Sequence, residues 1–326
     1  MPTVDTSFLS PIFKALVAQC PEAVDFDKVT VQQARAASND TMQPDTEGPP
    51  VDTEKIEIPD QTDGHAIKVT LYKPQGISSD EKLPALIFFP GGGFCFIEES
   101  FYVFLMSTFA TDLSCIVIFV NYSLSPEVQF PVALNEAHSV VEFATNSTTA
   151  SKFQIDPTRV AVGGDSAGGN LSAAVSLLAK QRNQLQNSIK HQILYYPCVD
   201  NDFSTESYKR YGEGFFFTRK MASEFLKCYA PAEELENMLL LPNKASVDDL
   251  VGLPPALLIT CEADVLCDEG EIYGRKLVAA NVPVSSFRVN GVIHGFLSSP
   301  VFFSDEAYHV IDMTKRALQS AFTINN

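Results

Sequence analysis

Two hydrophobic patterns run along this chain of 326 residues, and one gives way to the other near residue 85. In the first part, apolar positions recur at helical spacing over Pro11–Gln19 and Val31–Ala37, with Thr30 placed to cap the second run. A polar segment rich in Pro, Asp and Thr, from Ser38 to Thr53, reads as a linker. Alternating residues then predict strands at Glu54–Ile58 and Ala66–Tyr72, followed by Asp, Ser and Lys turn residues. Beyond them come continuous apolar runs at Ala85–Phe89, Ile116–Asn121, Val160–Gly163, Gln192–Tyr196, Ala256–Cys261 and Ser285–Val289, with helical stretches between. Strands apolar on both faces belong to a mostly parallel sheet covered by helices on both sides. The antiparallel opening pair makes the predicted sheet mixed. The fold class is α/β.

Between Asp200 and Leu253 the alternation of strand and helix breaks. Arg219–Tyr229 reads as one helix there, and Phe215, Phe216 and Phe217 stand in a row. An insertion of this length after a central strand is placed to cover the C-terminal edge of the sheet. The expected division is therefore 1–50 as N-terminal cap helices and linker, 51–200 as the first part of the core, 201–250 as a cap insertion, and 251–326 as the second part of the core.

The composition fits this picture and narrows the partners. A chain that is 45% hydrophobic and 19% charged can bury one large α/β core with a cap. A net charge of −17 argues against nucleic acid or an anionic membrane as partner. The start, Met1-Pro2-Thr3-Val4-Asp5-Thr6, lacks the basic and apolar regions of a secretory signal. The longest buried-strand run, Cys115 to Val120, falls far short of the roughly 18 residues a membrane span needs. A cytoplasmic protein is expected. The seven cysteines (20, 95, 115, 198, 228, 261 and 267) are scattered through apolar runs, as reduced thiols are, with neither a disulfide framework nor a metal site in their spacing. Asn39, Asn121, Asn146 and Asn170 begin glycosylation sequons that, without a signal, read as chance matches.

The chemistry is concentrated in Gly164-Asp165-Ser166-Ala167-Gly168-Gly169-Asn170, set between a β-branched run and the alanine-rich helical run Leu171–Ala179. Strand, sharp turn and helix form the setting in which Gly-x-Ser-x-Gly lifts a serine hydroxyl clear of the sheet. Such a serine needs a base in contact with it. Of five histidines only His294 and His309 lie late enough for the order serine, acid, histidine. His309 sits in the helical pattern Asp305–Ala317, on its solvent side, whereas His294 lies in the turn-like stretch after the last strand. His294 is the expected base. The acid should follow the penultimate strand, where Glu262, Asp264, Asp268 and Glu269 compete. Asp264 comes just past the strand end, and Asp268 and Glu269 fit the first turn of the next helix. For the oxyanion, Phe88-Phe89-Pro90-Gly91-Gly92-Gly93-Phe94 follows a strand and could aim backbone N–H groups at a carbonyl oxygen, with Ala167 as a further donor. The triplet lacks the Gly-Lys-Ser/Thr ending of a phosphate loop.

These motifs resemble the hormone-sensitive-lipase-like family of α/β-hydrolase esterases, from about Val51 to the C-terminus. Tyr122-Ser123-Leu124-Ser125-Pro126-Glu127-Val128-Gln129-Phe130-Pro131 is similar to that family's Tyr-Arg-Leu-Ala-Pro-Glu-His-Pro-Phe-Pro, and Asp264 to Gly270 is similar to Asp-Pro-Leu-Arg-Asp-Glu-Gly. The resemblance implies an α/β-hydrolase fold with Ser166, Asp264 and His294 as triad and Gly92, Gly93 and Ala167 as oxyanion donors. It implies hydrolysis of short- to medium-chain acyl esters through an acyl-enzyme, without cofactor or metal. It also implies a homodimer through the edge of the last strand. Phe94, Phe215, Phe216 and Phe217 are the expected walls of the substrate pocket. Three positions depart from the family: Pro90 replaces the histidine that opens the glycine loop, and Ser123 and Val128 replace an arginine and a histidine. A lactonase, deacetylase or amidase could use the same machinery. A receptor that has lost catalysis is the alternative from another class, and the presence of all three triad residues argues against it.

Overall fold

The computed structural model describes residues 4–19, 28–41, 47–183, 188–298 and 300–323. Eight strands form one sheet: β1 (Val51–Pro59), β2 (Ala66–Pro74), β3 (Leu83–Phe89), β4 (Ile116–Asn121), β5 (Ile155–Asp165), β6 (Ile189–Tyr195), β7 (Ala256–Ala263) and β8 (Val284–Ile293). Their order across the sheet is β1-β2-β4-β3-β5-β6-β7-β8. β1 pairs antiparallel with β2 and β2 with β4, and all other neighbours are parallel. The sheet is mixed and mostly parallel, as the periodicity predicts.

Burial on both faces follows from the sequence of the central strands. All seven residues of β3 are buried. Leu86 and Phe88 point into one core cluster with Leu105, Phe109, Val310 and Leu318, from the helices Val103–Leu113 and Asp305–Phe322. Ala85, Ile87 and Phe89 point into the other, with Leu134, Val141, Leu171 and Val175 from the helices Val132–Thr145 and Ala167–Arg182. Successive strand side chains alternate faces, so an uninterrupted apolar run feeds two cores at once.

Tertiary pairing lengthens several elements beyond their sequence signal. β1 runs from Val51 because each residue from Val51 to Pro59 finds a partner between Pro74 and Ala66 on β2. The helix predicted at Val31–Ala37 continues to Thr41, and Thr30 and Gln33 cap its start reciprocally at 3.1 and 2.8 Å. The expected linker is therefore helix at its first residues and strand at its last. β8 extends to Ile293 through a register shift opposite Cys261–Ala263, where the sequence suggests a turn from Asn290. Glu262 holds that irregularity by accepting the Gly291 N–H at 2.8 Å. His294 therefore follows a strand directly.

Parallel strands end on the same edge. The loop 90–96 leaves β3 there, Ser166 leaves β5, Tyr196 leaves β6, Asp264 leaves β7 and His294 leaves β8. Residues distant in sequence thus meet along one line, the usual position of ligands in such sheets.

A histidine buried away from this edge sets an acid limit on stability. His138, on the Val132–Thr145 helix, is fully buried, and its Nδ1 accepts from Arg182 Nη1 at 3.1 Å. Burial and then the Arg182 charge lower its pKa to about 4. Burial does the same to His191. Each is neutral in the fold but protonates in the unfolded chain below about pH 6.5, so their contribution is complete above that pH and is lost as pH falls through 4. The melting-temperature gap between wild type and His138→Gln should narrow between pH 6.5 and 4. A gap constant with pH would contradict this.

Candidate active site

Ser166 occupies a backbone conformation that side chains seldom adopt, φ +56° and ψ −116°. The turn is held because its neighbours allow it. A Cβ on Gly168 would stand 1.8 Å from the Phe89 carbonyl oxygen, so only glycine lets the helix begin against the end of β3. The Ser166 N–H donates to the Tyr195 carbonyl at 2.9 Å. Asn170 donates its side-chain amide to the carbonyls of Cys198 and Leu240 at 2.7 and 2.8 Å, tying the turn to the inserted segment. Its burial at 1% exposure leaves no room for a sugar at that sequon.

The structure brings Ser166, His294 and Asp264 together. Ser166 Oγ lies 2.9 Å from His294 Nε2, and His294 Nδ1 lies 2.7 Å from Asp264 Oδ2. An ionised carboxylate only accepts, so Nδ1 carries the proton and Nε2 is left to accept from the serine hydroxyl. The second Asp264 oxygen accepts the Leu266 N–H at 2.9 Å, which fixes the carboxylate plane. Ser166 and His294 are each 7% exposed and Asp264 1%.

The competing groups are engaged elsewhere. Glu262 holds the β8 irregularity, and Asp268 accepts the Ser207 N–H at 2.8 Å. Glu269 accepts the N–H groups of Val199 and Asp200, and burial pushes its pKa well above the usual carboxylate range. His309 is exposed on the Asp305–Phe322 helix.

Opposite the serine, Gly92 and Gly93 have φ of +115° and +60°. A Cβ on Gly92 would fall 2.1 Å from the Phe96 carbonyl oxygen, so the loop closes only around glycine. Among the described residues no protein acceptor takes the N–H of Gly92 or Gly93. Ala167 opens the helix, where an N–H has no partner within the helix. Gly92, Gly93 and Ala167 thus each keep an N–H without a protein acceptor among the described residues.

The sequence reading missed the support beneath this loop. Asp165 accepts the Gly91 N–H at 2.8 Å and the Tyr102 hydroxyl at 3.0 Å. Burial raises the Asp165 pKa to about 6, against the pull of those two donors. The signal is present in the sequence, since a charged residue closes the buried run Val160–Gly164. Pro90 uses its carbonyl, which accepts the Tyr122 hydroxyl at 2.9 Å. Of the other departures, Ser123 donates its N–H and hydroxyl to buried Glu136 at 2.7 and 2.5 Å, and Val128 offers its carbonyl to Ser125 Oγ.

The four expected pocket aromatics go separate ways. Phe217 stacks on the His294 ring, with centroids 4.5 Å apart. Phe94 is 3% exposed and lies flat on Tyr229 at 3.6 Å. Phe215 packs edge-on against Tyr211, and Phe216 against Phe302. A residue outside the expected set, Phe225 on the Arg219–Tyr229 helix, lies against Gly93, its ring 2.2 Å from where a Cβ would be. It also stacks on Phe217 and meets Phe96 edge-on. A roof of Phe96, Phe225 and Phe217 therefore covers the glycine loop and the imidazole.

Among the described residues, one group has side chains close enough to share a cation: Asp60, Asp63 and His65, at the β1–β2 turn. Both ring nitrogens of His65 are taken by carboxylates, Asp63 at 2.5 Å and Glu136 at 2.6 Å. That pairing raises the His65 pKa and accounts for the cluster as an ion pair.

Comparison with known proteins agrees with the fold. The model of a family with the alpha/beta hydrolase fold matches residues 86–298. An arylesterase of Saccharolobus solfataricus is 32% identical over 297 residues, covering 90% of this chain and 91% of the relative. A carboxylesterase of Mycobacterium tuberculosis is 29% identical over 304 residues, 91% of each chain. Among solved structures, a fungal esterase from Rhizomucor miehei superposes with a TM-score of 0.90 at 36% identity, covering 98% of both chains.

Proposed function

The chain belongs to the α/β-hydrolase family and is an ester hydrolase like its relatives; from that premise we propose that Ser166, His294 and Asp264 act as its triad on short- to medium-chain acyl esters. The observation that carries this reading is the unbroken chain of contacts from Ser166 Oγ through both nitrogens of His294 to Asp264, at 2.9 and 2.7 Å. Ser166 Oγ attacks the ester carbonyl while Nε2 takes its proton. The charge that develops on the carbonyl oxygen meets the N–H groups of Gly92, Gly93 and Ala167. His294 then protonates the departing alcohol, and Asp264 stabilises the imidazolium in the interval. An acyl-enzyme remains on Ser166. Water, activated by the same imidazole, releases the acid.

The segments 1–50 and 201–250 act in this reading as the cap that sets chain length. The Phe96, Phe217 and Phe225 rings close the space above the glycine loop, and such a pocket takes acyl chains of about two to eight carbons. Nor does any described helix have the length and apolarity to cross a membrane. A p-nitrophenyl ester series should show highest kcat/KM within that range and a steep fall beyond it. Rates that climb past about twelve carbons, or jump on emulsified oil, would overturn the chain-length assignment.

A further inference from the structure

The Arg219–Tyr229 helix lies along the glycine loop almost residue by residue. Phe225 rests on Gly93, Tyr229 stacks on Phe94 at 3.6 Å with the rings 3° from parallel, and Cys228 packs against the apolar cluster that holds Cys95. We propose that Cys95 and Cys228 form a reversible disulfide under peroxide, and that this bond latches the cap helix onto the oxyanion loop. No other part of the site is needed for the bond to form. Its effect on turnover rests on the esterase reading above.

The two thiols differ in the way such chemistry requires. Cys228 is half-buried and within reach of a small oxidant, whereas Cys95 is fully buried behind it. Interaction between the two thiols holds Cys228 below its ordinary pKa and, together with burial, holds Cys95 above, which favours the thiolate on the more exposed sulfur. Lys227 reinforces this, while Glu224 and Glu127 oppose it. The backbone on either side is anchored. The Cys95 carbonyl accepts from Arg35 Nε at 2.7 Å, and the Cys228 carbonyl from Gln129 Nε2 at 3.1 Å.

The steps balance with hydrogen peroxide as oxidant. Cys228 thiolate attacks one peroxide oxygen: the S–O bond forms, the O–O bond breaks, and the departing hydroxide takes a proton to become water. Cys95 sulfur then attacks the Cys228 sulfenic acid. The S–S bond forms, the S–OH bond breaks, and the hydroxide leaves as a second water with the Cys95 proton. Two thiols are oxidised and one peroxide is reduced.

The latch matters because the site is nearly closed. With Ser166 and His294 each 7% exposed beneath Phe225 and Phe217, motion of the helix that carries Phe225 would widen the way to the serine. A covalent tie between that helix and the glycine loop would stop that motion without touching the triad.

The reduced protein would be exposed to a small excess of hydrogen peroxide, its remaining thiols alkylated, and its peptides mapped without reduction. A cross-linked pair containing Cys95 and Cys228 is expected. Turnover of p-nitrophenyl acetate should fall by at least about tenfold, as expected when a lid over the site is tied down, and dithiothreitol should restore it. Cys228→Ser should keep its activity through the same treatment. Alkylated Cys95 and Cys228 after oxidation, or Cys228 paired elsewhere, would overturn the disulfide. A Cys95–Cys228 bond with undiminished turnover would overturn the latch. The peptide map reads out even if no ester is hydrolysed, so failure of the disulfide and failure of the esterase reading are separate results.

Discussion

Ser166→Ala should lower kcat on a short-chain ester by on the order of 10⁶-fold, His294→Ala by a similar factor, and Asp264→Asn by less. The reasoning is geometric. Ser166 Oγ and His294 Nε2 are 2.9 Å apart, and no other imidazole is hydrogen-bonded to the serine. Without the hydroxyl no acyl-enzyme forms, and without the imidazole neither proton transfer occurs. Removing either side chain therefore disables the whole unit, and only the roughly 10³–10⁴-fold catalysis that the oxyanion donors and binding supply is left. His309→Ala is the matched control. It lies exposed on the Asp305–Phe322 helix and should leave kcat nearly unchanged. Thermal melts check that each variant is folded, since Phe217 stacks on the His294 ring. A fully active His294→Ala enzyme, or an inactive and folded His309→Ala one, would reverse the assignment of the base.

The second large effect is expected in the glycine loop. Gly92→Val should cost on the order of 10²–10³ in kcat, the scale of losing one oxyanion donor. A side chain there meets the Phe96 carbonyl oxygen at 2.1 Å and must also adopt φ +115°, so the peptide turns and its N–H leaves the serine. Pro90→His, at the position that departs from the family, should change kcat by less than about tenfold, because proline lacks a donor only at its own nitrogen. What Pro90 supplies is its carbonyl, bound to Tyr122, and histidine supplies one too. Both variants would be compared in kcat on one ester, with folding checked by melt. An active, folded Gly92→Val beside an inactive Pro90→His would place the oxyanion elsewhere.

Much of the site could be read from sequence because its demands are local. A serine on a strained turn needs small neighbours within two residues, and a backbone that approaches a substrate needs glycine. A strand buried on both faces needs an uninterrupted apolar run. Those requirements are satisfied by adjacent residues, so Gly164 to Asn170, the loop 90–94 and the core strands stand out without a structure. The order of serine, acid and histidine is legible for the same reason, since each follows a strand whose own pattern is clear.

The rest depended on which residues meet across the chain. Four carboxylates fall within eight residues at and just beyond the end of β7, and only the register of β7 against β8 and the packing of the next helix assign them. Asp264 faces His294, while Glu262, Asp268 and Glu269 each accept backbone N–H groups. The run Phe215 to Phe217 shows the limit most clearly. Phe217 N–H bonds the Phe215 carbonyl at 2.8 Å around Phe216 at φ +70°, and this tight reversal sends Phe215 towards Phe8 and Tyr211 but Phe217 onto His294. Three identical residues in a row carry no signal of that divergence. Phe225 against Gly93 and Tyr229 against Phe94 are likewise contacts between a helix and a loop far apart in sequence. Local backbone chemistry determined what this protein's site is made of. Long-range packing, which no local pattern encodes, decided what surrounds it.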